Sequence, residues 1–316
     1  MRGAVAKTLG SIPSAPTNFK KAMENNFEKK AIQSGDAKSD SAMAEFLNPT
    51  IQERILETRE IENSEVISGG ANRCVLVKLK DDGSGIFKPA SGEGENHIGK
   101  NFGQQEVRLE VRAGTYYKRE RATYLVDRFL DFNLVPPTVI REIDGEIGSL
   151  QQIVDYDNFG FEVPWHKLPE KELMKLFALD YILWSSDRGP ENLLIKNNRI
   201  YAIDNGLTFG PDKFLPFERE GVSLGGDSEK SYSPPPPEIY SHWSIPAEIK
   251  EKINTFLERG RWQILRGQLL ELLPPDEVDA CFARIQKFAE LIKNKGEISS
   301  RAELQFNPAA GEQDSN

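Results

Sequence analysis

A chain of 316 residues with 38% hydrophobic content is long enough for one large domain or two lobes and can fill a proper core. Its 40 Lys and Arg against 49 Asp and Glu give a formal charge of −9, which argues against a nucleic-acid partner held by phosphate neutralisation. No stretch has the length and apolarity of a membrane span, and "GSIPSAPTNF" interrupts any signal-peptide core. A soluble, cytoplasmic protein without stable membrane insertion is expected, with Cys74 and Cys281 as reduced core residues.

Residues 1–50 are polar and lack sustained apolar periodicity, and 297–316 have the same character, so both ends are expected to be largely disordered. The folded part then divides into a lobe over 51–153 and a second over 154–296. In the first, "RCVLVKL" and "GIFKPA" flank the turn "KDDGSG" and read as a hairpin. Next, "YYKRERATYLVDRFLDF" places Ala122, Leu125, Val126, Phe129 and Leu130 on one helical stripe. By rotation Glu120 falls almost opposite that stripe, beside Asp127, which predicts an exposed side chain, and "KRER" reads as the exposed start of the helix. Two more strands flank the Asp144-Gly145 turn in "PPTVIREIDGEIGSLQQIVD". In the second lobe "PEKELMKLFALDYILW" is apolar nearly all round and predicts a buried helix, with further helices at 247–259 and 275–295. "SPPPPEIY" reads as a stiff surface connection. The fold class is α+β: a β-rich N-lobe with one main helix and a mostly helical C-lobe, with a site in the cleft.

The richest stretch is "SSDRGPENLLIKNNRIYAIDNGLTFG". "LLI" and "IYAI" joined by "KNNR" predict an antiparallel hairpin, whose open ends carry Asn192 and Asp204. Two hard oxygen donors brought together there suit Mg²⁺, with Mn²⁺ as a substitute, and phosphate oxygens and water supply the rest of such a shell. Asp187, five residues before Asn192, can accept the proton of an attacking hydroxyl, and Arg188 can balance local negative charge. Lys88, the one charged residue of an apolar strand, is the candidate for ATP phosphates; Gly69 and Gly70 in "SGGANR" permit close backbone approach to them. A helical glutamate to hold that lysine would be Glu120. Each of these residues alone has an ordinary turn or surface role; their joint order is what points to phosphoryl transfer. His97, His166 and His242 are far apart, and no zinc-protease or serine-hydrolase motif is present.

The order Lys88 in "IFKP", Glu120 in "KRERATYLVDRFL", "DRGPEN" and then "DNG" resembles the atypical kinase superfamily of phosphatidylinositol 3- and 4-kinases. Within it the chain is most similar to small bacterial phosphatidylinositol-kinase-like proteins, and more distantly to secretory-pathway protein kinases with a "DNG" metal motif. The likeness covers roughly 65–260. It implies a bilobal kinase-like fold that binds ATP and Mg²⁺. Lys88 would hold the phosphates with Glu120 as ion-pair partner, Asp187 would be the catalytic base, and Asn192 and Asp204 the metal ligands. "LQQIVD", with Gln151, Gln152 and Ile153, would be the interlobe connection that receives adenine. Many relatives read Asp-Arg-His where this chain has Asp187-Arg188-Gly189, and the Gly-rich, "HRD" and "APE" signatures of ordinary protein kinases are missing.

The function expected is transfer of the γ-phosphate of Mg-ATP to a hydroxyl of a protein or small-molecule acceptor. Phosphoinositide is less favoured as acceptor, because residues 205–243 hold three Lys or Arg against six Asp or Glu. AMP transfer by reversed ATP and a catalytically silent nucleotide-binding scaffold are the alternatives.

Overall fold

In the computed structural model the described residues are 45–67, 72–81, 83–93, 111, 114–185, 187–209, 243–258, 260–294 and 297–298. Gly69, Gly70, His97, His242, the Pro-rich stretch, residues 1–44 and 299–316 lie outside them.

The N-lobe opens with helix α1 (Ile51–Thr58), started by a Thr50/Glu53 capping box. Glu53 is fully buried, and Arg121 and Arg128 approach it at 2.6 and 3.1 Å. Burial alone would raise its pKa; Arg121, the Thr50 N–H and Arg128 hold it below the ordinary carboxylate value.

Strands β1 (Ile61–Ile67), β2 (Cys74–Leu79), β3 (Gly83–Pro89), β4 (Thr138–Ile143) and β5 (Glu146–Gln152) form one antiparallel sheet ordered β1-β2-β3-β5-β4. The expected hairpins are β2–β3 and β4–β5, the latter turning at Asp144 and Gly145 with φ of 53° and 79°. Strand β1, which carries no alternating apolar pattern, adds an outer edge. Val77, Leu79, Phe87, Val139, Ile143 and Leu150 pack with Leu56 of α1 into a small core. Burying each such side chain contributes roughly 1.5–3 kcal/mol.

Helix α2 (Tyr116–Leu130) crosses between this sheet and the second lobe. The expected apolar stripe is buried, and so is the opposite face: Arg119, Glu120 and Asp127 are each 2% exposed or less. The periodicity reading of Glu120 and of the "KRER" start is therefore corrected. A stripe identifies which face meets the main core, but this helix has protein on two sides. Arg119 donates to the carbonyls of Thr208 and Phe209 at 2.6 and 3.1 Å and to Glu277 at 2.8 Å. The N-terminus of α2 is fixed by Glu93, whose carboxylate accepts the N–H groups of Tyr116 (3.0 Å), Tyr117 (2.8 Å) and Gly114.

The second lobe contains α3 (Glu170–Leu183), α4 (Ala247–Glu258), α5 (Arg261–Leu270) and α6 (Pro275–Asn294), gathered around a large apolar core that also takes in α2. Strands β6 (Asn158–Phe159), β7 (Leu193–Lys196) and β8 (Arg199–Ala202) form a second antiparallel sheet. A third pair, β9 (Trp243–Ser244) and β10 (Glu297–Ile298), is closed at the end of the described chain. Phe46 is buried against Phe129, with ring centroids 4.7 Å apart, and β10 follows α6. Cys281 is buried in α6, whereas Cys74, expected in the core, is only half-buried at the start of β2; neither forms a disulfide. No helix among the described residues is long and apolar enough to cross a membrane. The α+β architecture is the expected one, a β-rich lobe with one main helix followed by a helical lobe.

Candidate active site

Lys88 projects from β3, where its strand neighbours Phe87 and Pro89 point into the lobe and are buried. Its Nζ donates to Glu120 Oε1 at 2.6 Å and to Asp204 Oδ1 at 2.8 Å. One cation thus joins a β3 lysine, an α2 glutamate and an aspartate just past β8. Burial works against the lysine charge, but the Asp204 and Glu120 carboxylates outweigh it and raise the Lys88 pKa well above the usual lysine range. Lys88 is a fixed cation at any ordinary pH.

The backbone around Lys88 is tightly set. Lys88 pairs with Ser149 of β5, and next to it Gly148 stands against the Lys88 carbonyl. A Cβ at Gly148 would meet that carbonyl and approach the Phe87 ring to 2.7 Å. Only glycine leaves room for the strand to pass.

The β7–β8 hairpin forms as its two apolar runs and the polar "KNNR" turn predict, with Leu193 opposite Ala202 and both Asn197 and Asn198 at positive φ. At its open end the Ile203 N–H donates to the Asn192 carbonyl at 2.9 Å, so Asn192 and Asp204 leave the hairpin side by side. Asn192 is buried, and its Nδ2 donates to the Asp187 carbonyl at 2.8 Å. That bond fixes which end of the amide is nitrogen and leaves Oδ1 as its acceptor end. Asp204 is left-handed at φ 53°. These two oxygen donors fit a hard divalent cation that takes its other positions from phosphate and water. No group of three or more His, Cys, Asp or Glu that could hold a metal on its own occurs among the described residues.

Asp187 is half-buried, five residues before Asn192 and tied to it by the same hydrogen bond. Arg188 is buried; its Nε donates to both oxygens of Asp180 at 3.1 and 3.2 Å, and Nη2 to Asn205 Oδ1 at 2.5 Å. Burial raises the Asp180 pKa in spite of the guanidinium beside it. Gly189 is extended at φ −99°, and the Glu191 carboxylate lies where a Cβ on Gly189 would be. The space a side chain at 189 would use is taken by Glu191.

Asn205 closes the arrangement: its backbone N–H donates to Glu120 Oε2 at 3.0 Å. The two oxygens of Glu120 are thereby divided between Lys88 and the residue after Asp204. Asp180 and Asn205 were not singled out by sequence. A lone aspartate within the apolar run "LFALDYILW" was the available signal for Asp180, while Asn205 looked like a turn residue.

At the end of β5, Gln151 is buried and its Nε2 donates to Thr138 Oγ1 at 2.9 Å. The backbone N–H groups of Gln152 and Ile153 donate to the carbonyls of Pro137 (2.8 Å) and Ser84 (3.2 Å). The Ile153 side chain is exposed.

No family model matches the chain. Among curated proteins it is 28% identical to Arabidopsis thaliana phosphatidylinositol 4-kinase gamma 5 over 241 residues, 66% of this chain and 36% of the relative. It is 26% identical to phosphatidylinositol 4-kinase gamma 7 of the same plant, over 54% of this chain and 30% of the relative. The chain thus spans about a third of the length of these relatives. Among solved structures it resembles the Golgi casein kinase with Mn and ADP bound, with 13% identity, a TM-score of 0.45 and 92% of each chain covered. It also resembles hydra Fam20 with sugar, with 14% identity, a TM-score of 0.46, and 77% of this chain and 88% of that one covered.

Proposed function

We propose that this protein is an ATP-dependent kinase that transfers the γ-phosphate of Mg-ATP to a hydroxyl of a protein or small-molecule acceptor. The observation that carries the reading is the position of Lys88 Nζ between Glu120 and Asp204, 2.6 and 2.8 Å away, a fixed cation at the meeting of the two lobes. The names of the Arabidopsis relatives support the same class of chemistry.

In this reading Lys88 binds and orients the nucleotide phosphates, with Glu120 holding its ammonium group in place. Asn192 and Asp204 hold Mg²⁺, which when bound neutralises charge on the phosphate oxygens. Asp187 orients the acceptor hydroxyl and takes its proton as the new O–P bond forms and the bond from the γ-phosphorus to the bridging oxygen breaks, releasing ADP. Gln151, Gln152 and Ile153 border the adenine; with the Gln152 and Ile153 N–H groups already donating inside the protein, contact falls to carbonyls and side chains. Gly69 and Gly70, which lie outside the described residues, are proposed for the phosphates on sequence alone. The compartment proposed is the cytoplasm.

The names of the relatives also raise the phosphoinositide headgroup as acceptor. Purified protein is incubated with ATP labelled at the γ or the α phosphate, with casein, free inositol, or vesicles containing phosphatidylinositol. Transfer of γ label supports the kinase reading, and the labelled acceptor identifies its class. Transfer of α label identifies AMP transfer. No transfer together with no binding of Mg-ATP overturns both.

A further inference from the structure

The guanidinium of Arg188 lies where the two ends of the β7–β8 hairpin meet. Nη1 donates to the Ile203 carbonyl at 3.0 Å and more weakly to that of Asn192 at 3.4 Å, Nη2 donates to Asn205 Oδ1 at 2.5 Å, and Nε to Asp180. The residues it grips are therefore Asn192 itself and both chain neighbours of Asp204. Asn205 in turn donates its Nδ2 to the Ala202 carbonyl at 3.2 Å and its N–H to Glu120.

Building on the assignment of Asn192 and Asp204 as metal ligands, we propose that Arg188, oriented by Asp180 and Asn205, is a positioning residue that sets the divalent-cation affinity of the Asn192–Asp204 pair. A second cation beside a metal site ordinarily opposes the metal. Here the Asp180 carboxylate neutralises it within the same buried cluster, so the fork geometry acts without a net repulsive charge. Few side chains could replace it: a guanidinium presents five donors in one plane, whereas a lysine offers three from a single atom and cannot span acceptors on residues 180, 192, 203 and 205 at once. The same fork fixes Asn205, and through its N–H the orientation of Glu120.

The test is a calorimetric titration of Mn²⁺ into the full-length protein with saturating ADP, comparing wild type with Arg188→Lys and Asn205→Leu. Asn205→Leu removes the Nη2 acceptor and the Nδ2 bond to the Ala202 carbonyl, while keeping the backbone N–H that donates to Glu120. Both variants should bind Mn²⁺ about 10-fold or more weakly, as loss of an outer-shell partner does. Their turnover should return toward wild type at high Mn²⁺, with melting curves taken without metal showing both variants folded at the assay temperature, since metal would also rescue a merely destabilised fold. Asn205→Asp keeps an acceptor for Arg188 and should bind Mn²⁺ more tightly than Asn205→Leu does. If Arg188→Lys does not fold, Asn205→Leu decides. Wild-type Mn²⁺ affinity in a folded Arg188→Lys or Asn205→Leu protein overturns the inference alone. A wild-type protein that binds no Mn²⁺ with ADP overturns the metal assignment and the kinase reading beneath it.

Discussion

Glu120 presents one carboxylate oxygen to Lys88 Nζ at 2.6 Å and the other to the Asn205 N–H at 3.0 Å, so a single α2 side chain ties β3 to the segment that carries Asp204. Replacing Lys88 by Met should lower kcat by about 10²- to 10³-fold, the usual cost of losing one preorganised charge on a reacting group. Glu120→Gln keeps the shape and an acceptor but not the charge, and its loss should be smaller. Steady-state kinetics at saturating Mg-ATP, with melting curves for both variants, measures this; equal kcat in wild type and Lys88→Met would exclude the role given to Lys88.

Asp187 and Asp204 should separate on binding. Asp187→Asn removes the proton acceptor and should abolish most turnover while ADP binding in the presence of Mn²⁺ stays within about threefold of wild type. Asp204→Asn removes a charged metal ligand and should weaken that binding by about 10-fold or more. Calorimetry on the two variants reads the difference, and equal effects on binding would mean that the two aspartates do not have separate roles.

Gly148→Ala tests the fit of β5 against β3. Its new methyl group would meet the Lys88 carbonyl and the Phe87 ring, both fixed by the sheet, so neither can step aside. A loss of about 1–3 kcal/mol in urea unfolding is expected from overpacking, together with lower activity because the displaced backbone bears Lys88.

Asp127 links stability to pH. Its carboxylate accepts the N–H groups of Leu134 (3.1 Å) and Val135 (3.0 Å), and burial, only partly offset by those bonds, pushes its pKa from an ordinary 3.8 up to about 7. The folded protein then keeps a proton that the unfolded chain releases. The residue's contribution to stability is full below the unfolded pKa and is lost as pH rises toward and through the folded value. The stability difference between wild type and Asp127→Asn should therefore move against the wild type between about pH 4 and pH 7. Urea unfolding at several pH values checks this; a difference that is flat across that window would contradict it.

Much of the architecture could be read from local pattern. The β7–β8 hairpin was legible because two short apolar runs enclose a turn of Asn residues, and the two other hairpins for the same reason. The burial of α3 followed from its lack of a polar face. Glu120 was not legible from periodicity, because its partners Lys88 and Asn205 lie 32 and 85 positions away in sequence. Likewise, the Asp180–Arg188–Asn205 cluster depends on three segments meeting, and each residue alone has an ordinary explanation. Edge strand β1 escaped notice since only Ile61 in it is even half-buried, which leaves no alternating pattern to read.

The Glu93 carboxylate that receives the first N–H groups of α2 stands just after β3, although residues 94–115 separate it from the helix in sequence. One carboxylate thus clasps the start of α2 to the chain just past β3, so the register of Glu120 against Lys88 is held by a direct clasp as well as by the sheet and the helix that carry them.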